Sequence, residues 1–222
     1  MRLFFYNSII LILLPILIIR LIFKNLQDKD YLKNFSNRLG FYKIKSYQNT
    51  IWFHAVSLGE VISSQKIVKK LLEDNKVILS VSTPTGLREA KKIYGQNLLV
   101  VYAPLDFSIF VKSFLNKFRP KALILFETEI WPSMIHACWK NNIPVILSNA
   151  RLSESSYKKY EFISVFINST LNKLSLILVQ SHEHASRFKA LGINNDIIFK
   201  VGSSKFDLES DNEFEISDIN LC

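Results

Sequence analysis

Residues 51–60, IWFHAVSLGE, hold the pattern on which the fold turns. Ile51 to Phe53 have the length of a short buried strand, and they run without a spacer into His54, Ala55, Val56, Ser57, Leu58, Gly59 and Glu60. The next stretch, VISSQKIVKKLL (61–72), spaces its apolar residues as a helix does. Strand, polar turn and helix then recur. Lys76–Ser82, Leu98–Tyr102, Ala122–Phe126, Val145–Ser148, Leu174–Val179 and Ile197–Val201 are further strand-length runs, and Phe107–Phe118 and His182–Leu191 read as helices, the latter closed by Gly192. Seven such runs alternating with amphipathic segments predict an α/β domain, doubly wound, with a mostly parallel sheet covered on both faces. Ligands on such sheets bind at the carboxyl ends of the strands, so the polar turns are where chemistry is expected.

Each turn has a plain structural use beside a functional one. Ser57-x-x-Glu60 is a capping box, and it equally sets a carboxylate beside a glycine at a helix N-terminus, where the dipole favours the ionised form able to accept a proton. Thr83-Pro84-Thr85-Gly86 is a good helix start whose hydroxyls and amides suit phosphate or sugar oxygens. Asp106, in the turn Tyr102–Asp106, reads more readily as a cap than as a ligand. Glu127 and Glu129 end a strand that should be central and buried, so either they find partners such as Arg151 or they serve a site. Ser148–Ser153 adds an amide, a guanidinium and hydroxyls suited to anionic or polyhydroxylated groups.

The N-terminus is of another kind. Leu3 to Phe23 contains only Asn7, Ser8 and Arg20 as strongly polar members, and at 1.5 Å per residue it reaches about 30 Å, a hydrocarbon thickness. No A-x-A-like cleavage site follows, so an uncleaved anchor is expected. Arg20, Lys24, Lys29, Lys33, Arg38, Lys43 and Lys45 against Asp28 and Asp30 give a net +5 that places the following domain on the cytoplasmic side. Both a span and a helix lying in the bilayer surface fit this composition.

Across all 222 residues, 49% are hydrophobic and 13% aromatic, which supports a sizeable core and excludes a disordered chain. Cys138 and Cys222 form no disulfide framework and no metal-ligand spacing, consistent with a reducing compartment. The net charge of +9 divides into −6 on Asp207, Glu209, Asp211, Glu213, Glu215 and Asp218 and +15 over residues 1–206. That charge suits an acidic partner, but it is concentrated beside the apolar anchor without a nucleic-acid motif, so a nucleic-acid partner is not predicted.

HAVSLGE (54–60), STPTG (82–86), YAPLD (102–106), FETEIWP (126–132), NARLSESSY (149–157), Gln180, Arg187-Phe188-x-x-Leu191-Gly192 and Gly202-x-x-Lys205-Phe206-Asp207 resemble, in this order, the N-terminal half of bacterial 3-deoxy-D-manno-octulosonic acid (Kdo) transferases. The resemblance runs from the apolar N-terminus to Asp207. It implies the Rossmann-like N-terminal domain of a GT-B glycosyltransferase at residues 25–206, a membrane-anchor helix at 1–24, and at 207–222 an acidic linker too short to supply the family's donor domain. It also implies lipopolysaccharide core biosynthesis at the cytoplasmic face of the cell inner membrane, with Kdo moved from CMP-Kdo to the lipid A precursor and inversion at the anomeric carbon. Glu60 matches the family's catalytic base, and Glu127 matches a glutamate that assists. Ser57, Gly59, Thr83, Thr85 and Arg151 match acceptor-pocket positions, and Lys205 lies near the interdomain cleft. No cofactor and no metal is implied, CMP-Kdo being the donor substrate. The partners implied are the lipid A precursor, the inner membrane and, for a split enzyme, a separate C-terminal donor-binding chain. The alternative is a non-catalytic, membrane-attached acceptor-binding module or a truncated remnant of the enzyme.

Overall fold

The computed structural model describes residues 2–44 and 47–203. Lys45, Lys205, the acidic tail and Cys222 lie outside them. The chain opens with helix α1 (Arg2–Gln27), which continues through Pro15, then a 3₁₀ turn (Lys29–Tyr31) and the short α2 (Phe35–Arg38). The alternating body follows as β1 (Thr50–His54), α3 (Leu58–Ser63), α4 (Gln65–Asp74), β2 (Lys76–Val81), α5 (Pro84–Tyr94), β3 (Leu99–Tyr102), α6 (Ser108–Phe118), β4 (Ala122–Phe126), α7 (Pro132–Lys140), β5 (Val145–Ala150), α8 (Glu154–Phe162), α9 (Ser164–Leu171), β6 (Leu176–Val179), α10 (His182–Ala190) and β7 (Ile198–Lys200). Each expected strand is present.

Among the described residues all strand pairings are parallel, in the order β3-β2-β1-β4-β5-β6-β7. Winding reverses between β1 and β4, which makes the gap beyond their carboxyl ends the topological switch point. Successive side chains of β1 serve opposite layers. Trp52 goes to one face, stacked on Phe114 at 4.0 Å between ring centroids beside Phe118, Leu123 and Met134. Phe53 goes to the other, with Val61, Val77, Leu79 and Phe126. Burial on both faces is why the strands read as unbroken apolar runs.

Two local expectations change. The helix read over 61–72 is broken at Ser64, where the Ser63 hydroxyl donates to the Gly59 carbonyl (2.9 Å) and the Ser64 hydroxyl to the Val61 carbonyl (3.2 Å). Serines that bond back to the preceding turn compete with the helix ladder. Arg38, counted among the membrane-facing cations, is 3% exposed; it donates to the Ser82 carbonyl (3.0 Å) and lies 4.1 Å over the Tyr102 ring. Its charge is spent inside the domain, and burial holds its pKa below the usual arginine value, opposed by the neighbouring tyrosines.

Candidate functional site

β1 delivers the chain to the switch point and Ser57 starts α3. The Ser57 Oγ accepts the Glu60 N–H (3.4 Å), while the Glu60 carboxylate turns back to accept the Val56 N–H (2.8 Å) and the Ser57 hydroxyl (2.9 Å). The capping box is therefore real, and it pins Glu60, only 9% exposed, to one position at the mouth of the sheet. Gly59 is exposed, and a Cβ on it would meet nothing nearer than the Ser57 Oγ at 3.9 Å. No packing demand requires a glycine there, so its smallness keeps the rim open beside Glu60.

The turn after β2 closes on the same loop. Thr83 caps α5 through the Gly86 N–H (3.1 Å) and reaches the Val56 carbonyl (3.5 Å), and the Thr85 hydroxyl donates to Thr83 (3.3 Å). A Cβ at Gly86 would sit 3.3 Å from the Ser57 carbonyl carbon, so this glycine is what lets the starts of α3 and α5 approach. Ser57, Thr83 and Thr85 thus lie on two adjoining helix starts.

Across the switch point, Glu127 adopts φ +64°, a left-handed conformation costly for a residue with a Cβ, while its N–H donates to the Ser148 carbonyl (2.8 Å). Asn149, at the end of the neighbouring β5, has φ +54°. The kink at Glu127 re-aims the chain, and two residues later Glu129 accepts the Trp131 indole N–H at 2.6 Å. Thr128 bonds the Arg151 carbonyl, which ties the loops after β4 and β5 together. The Arg151 side chain is exposed, and among the described residues no ion pair joins it to either glutamate. Of the two alternatives for this pair, the structure thus leaves the glutamates uncompensated by Arg151.

Glu60 and Glu129 lie within electrostatic reach of each other and of Glu127. Burial raises the Glu60 pKa, opposed by the Val56 and Ser57 hydrogen bonds, and Glu127 adds to the rise. Burial, then the Glu60 charge, pushes Glu129 up to about 7 against the Trp131 hydrogen bond, with Glu127 adding to the rise. Like charges facing one another in a partly dry site are costly, and a proton held on Glu129 relieves the cost.

Beneath this cluster His54 is fully buried, its Nδ1 2.8 Å from the Ser80 Oγ and its ring 5.2 Å from Trp131, edge against face. Trp52 donates to the same Oγ (2.7 Å), so the Ser80 proton is free to point at His54, and burial drives the histidine pKa down to about 4. His54 is a neutral support for Trp131, which in turn holds Glu129. The sequence placed Glu129 beside Glu127 without assigning it a task; its spacing to Trp131 was the available signal. Among the described residues no group of three His, Cys, Asp or Glu side chains is arranged to hold a metal ion.

The chain matches the family model described as 3-deoxy-D-manno-octulosonic-acid transferase (kdotransferase) over residues 33–208. It is 32% identical over 215 residues to the 3-deoxy-D-manno-octulosonic acid transferase of Haemophilus influenzae, a match covering 95% of this chain and 50% of that protein. It is 32% identical over 164 residues to the Bordetella pertussis protein of the same name, covering 71% and 38%. A bifunctional glycosyltransferase/methyltransferase of Fusobacterium nucleatum is 33% identical over 187 residues, covering 81% and 29%. The chain thus spans half the length of these relatives or less. Among solved structures, the UDP-GlcNAc 2-epimerases of Neisseria meningitidis and Rickettsia bellii superpose with TM-scores of 0.52 and 0.51, each 14% identical, covering 73% and 75% of this chain and 50% of each of those chains. At that identity the likeness concerns the fold.

Proposed function

This chain belongs to the 3-deoxy-D-manno-octulosonic acid transferase family, and from that premise we propose that it supplies the acceptor side and the catalytic base of Kdo transfer from CMP-Kdo to the lipid A precursor. The observation that carries the proposal is Glu60, fixed at the start of α3 by Val56 and Ser57 beside two further carboxylates at the switch point.

The acceptor sugar hydroxyl approaches over Gly59, and the Glu60 carboxylate takes its proton as the oxygen forms a bond to the anomeric carbon of Kdo. The bond from that carbon to the CMP phosphate breaks with its electron pair leaving on CMP, and attack from the opposite side inverts the centre. A carboxylate whose pKa is raised by burial is a stronger base than a solvated glutamate. Glu127 orients substrate hydroxyls. Glu129 holds a proton, which limits the repulsion that an incoming anionic acceptor meets. Ser57, Thr83, Thr85 and Arg151 bind the polar and anionic parts of the acceptor. The donor is bound outside residues 1–206, by a region equivalent to the half of the longer relatives that this chain does not match. Helix α1 holds the domain at the cytoplasmic face of the inner membrane, where such an acceptor resides.

The test is transfer to lipid A precursor by membranes carrying this chain together with a donor-side half, with Glu60→Gln as the decisive variant. Unchanged transfer by that variant removes the assigned base. Because the matched length is about half that of the H. influenzae relative, a second reading stands: a module that binds the acceptor without catalysis. Acceptor binding with no transfer, whichever donor half is supplied, would favour it.

A further inference from the structure

Helix α1 is bonded to the α/β body at both ends. In its first turns the Tyr6 hydroxyl donates to Asp106 (2.8 Å), Asn7 accepts the Ser108 N–H (2.9 Å), and the Tyr6 ring stacks on Phe166 of α9 at 5.7 Å. Just past its last turn, Asp28 and Asp30 pair with Arg88 of α5 (2.9 and 2.7 Å), and the Asp30 carbonyl accepts the Tyr102 hydroxyl (2.9 Å). Asp106, Ser108 and Tyr102 all stand at the carboxyl edge of the sheet. Between the attachments, half-buried positions recur at helical spacing, Leu3, Asn7, Ile10, Leu14, Leu17 and Leu21, while Phe5, Ile9, Ile12, Ile16, Ile19 and Phe23 face outward and exposed.

By composition alone α1 is a membrane span, with a mean hydropathy of 2.4 over its apolar window. A span, however, puts its two ends on opposite sides of about 30 Å of hydrocarbon. The body bonded to Tyr6 and Asn7 would be carried in with that end, including the start of α6 with Lys112 and the start of α7, whose peptide N–H groups Asp106 holds. Charged and polar groups of that kind are costly within hydrocarbon.

We infer that α1 does not cross the bilayer but lies along the cytoplasmic leaflet as an in-plane float, clamped to the carboxyl edge of the sheet at both ends. A second element shares this surface. The elbow between α8 and α9 exposes Phe162 (96%), Ile163 (51%) and Val165 (61%) next to Phe166, on which Tyr6 stacks, and Ile109 (66%) follows Ser108. The exposed Arg20, Lys29 and Lys33 meet anionic headgroups around this apolar face. The occupant is one leaflet of an anionic phospholipid bilayer, so the Glu60 cleft opens beside the headgroups. This inference does not depend on Kdo transfer.

Nitroxide labels at Phe5→Cys, Ile12→Cys, Phe23→Cys and Phe162→Cys, each in the full chain with Cys222→Ser and the buried Cys138 retained, read the depth directly. In phosphatidylethanolamine/phosphatidylglycerol vesicles all four should report one shallow depth, about 5–10 Å below the headgroups. The inference is overturned if Ile12→Cys lies near the bilayer centre with Phe5→Cys and Phe23→Cys shallow on opposite sides. It is equally overturned if labels broaden one another between copies, since the face is then covered by a second chain. A variant with Tyr6→Phe and Asn7→Ala, cut loose at its first turn, should let Ile12→Cys sink deeper than in the parent; an unchanged depth counts against the clamp.

Discussion

Asp106 and the Glu60, Glu127 and Glu129 cluster are both buried carboxylate sites at the carboxyl edge of one sheet, and they are built on opposite principles. Asp106 has both oxygens occupied by the Ser133 and Met134 N–H groups (3.0 and 2.9 Å) and the Tyr6 hydroxyl, and no other carboxylate is among the causes of its shift; burial alone drives its pKa up to about 6, against those bonds. It joins α1, the turn after β3 and α7, and is buried beneath its three donors. In the cluster, Glu129 receives one indole N–H, Glu60 and Glu127 add repulsion, and Glu127 holds an unfavourable backbone angle. A carboxylate held by donors from three elements is a strut; carboxylates set against each other, one beside a left-handed backbone, store free energy that a bound substrate can release.

The largest effect that separates the two is catalytic. Glu60→Gln should lower transfer by roughly 10²–10⁴-fold while the thermal midpoint falls by no more than a few degrees, measured on the complete enzyme. Asp106→Ala should do the reverse in kind, orphaning two helix N–H groups and one hydroxyl and costing about 2–4 kcal/mol of stability by denaturant titration. A comparable stability loss in both variants would erase the distinction between strut and site.

Next comes pH. Glu129, raised from 4.5 to about 7, binds its proton more tightly folded than unfolded, so its contribution to stability is fully present below about pH 4.5 and is lost as pH climbs through 7. Glu129→Gln should therefore be more stable than the parent at pH 8, by roughly 1–3 kcal/mol, with the difference shrinking toward pH 5. A difference that grew on acidification would sink the assignment. Asp106 has the same sign over about pH 4 to 6. The smallest effect on stability is expected from Gly59→Ala. Nothing crowds the new methyl and alanine is the better helix former by about 1 kcal/mol, so the variant should melt no lower than the parent yet transfer less well, through a raised acceptor KM. If KM does not change, the open rim has no role in binding.

The strands were legible because parallel strands covered on both faces must be apolar throughout, and the Ser57 to Glu60 cap because its signal spans four residues. The helix break at Ser64 was not, since a hydroxyl that turns back on its own ladder looks in sequence like one that points to water. Arg38 was misread for a related reason: an arginine that spends its charge on a carbonyl and a tyrosine face looks like any other cation in a basic run. Glu127 and Glu129 were visible as a pair, but the order of their burial depends on one left-handed residue. The attachments of α1 join residues 100 and 101 apart in the chain, a separation at which no local pattern carries information.

Those attachments also set the limits of modularity. In most anchored enzymes the membrane helix is a tether, and another of equal hydropathy can replace it. Here the polar atoms of the first two turns of α1 complete hydrogen bonds that begin in α6 and α7. A generic apolar helix grafted in its place would still bring the chain to the bilayer, but Asp106 would lose its hydroxyl donor and Ser108 its cap. Helix α1 is in that sense an outlying piece of the domain's own framework, not exchangeable for another helix of equal hydropathy.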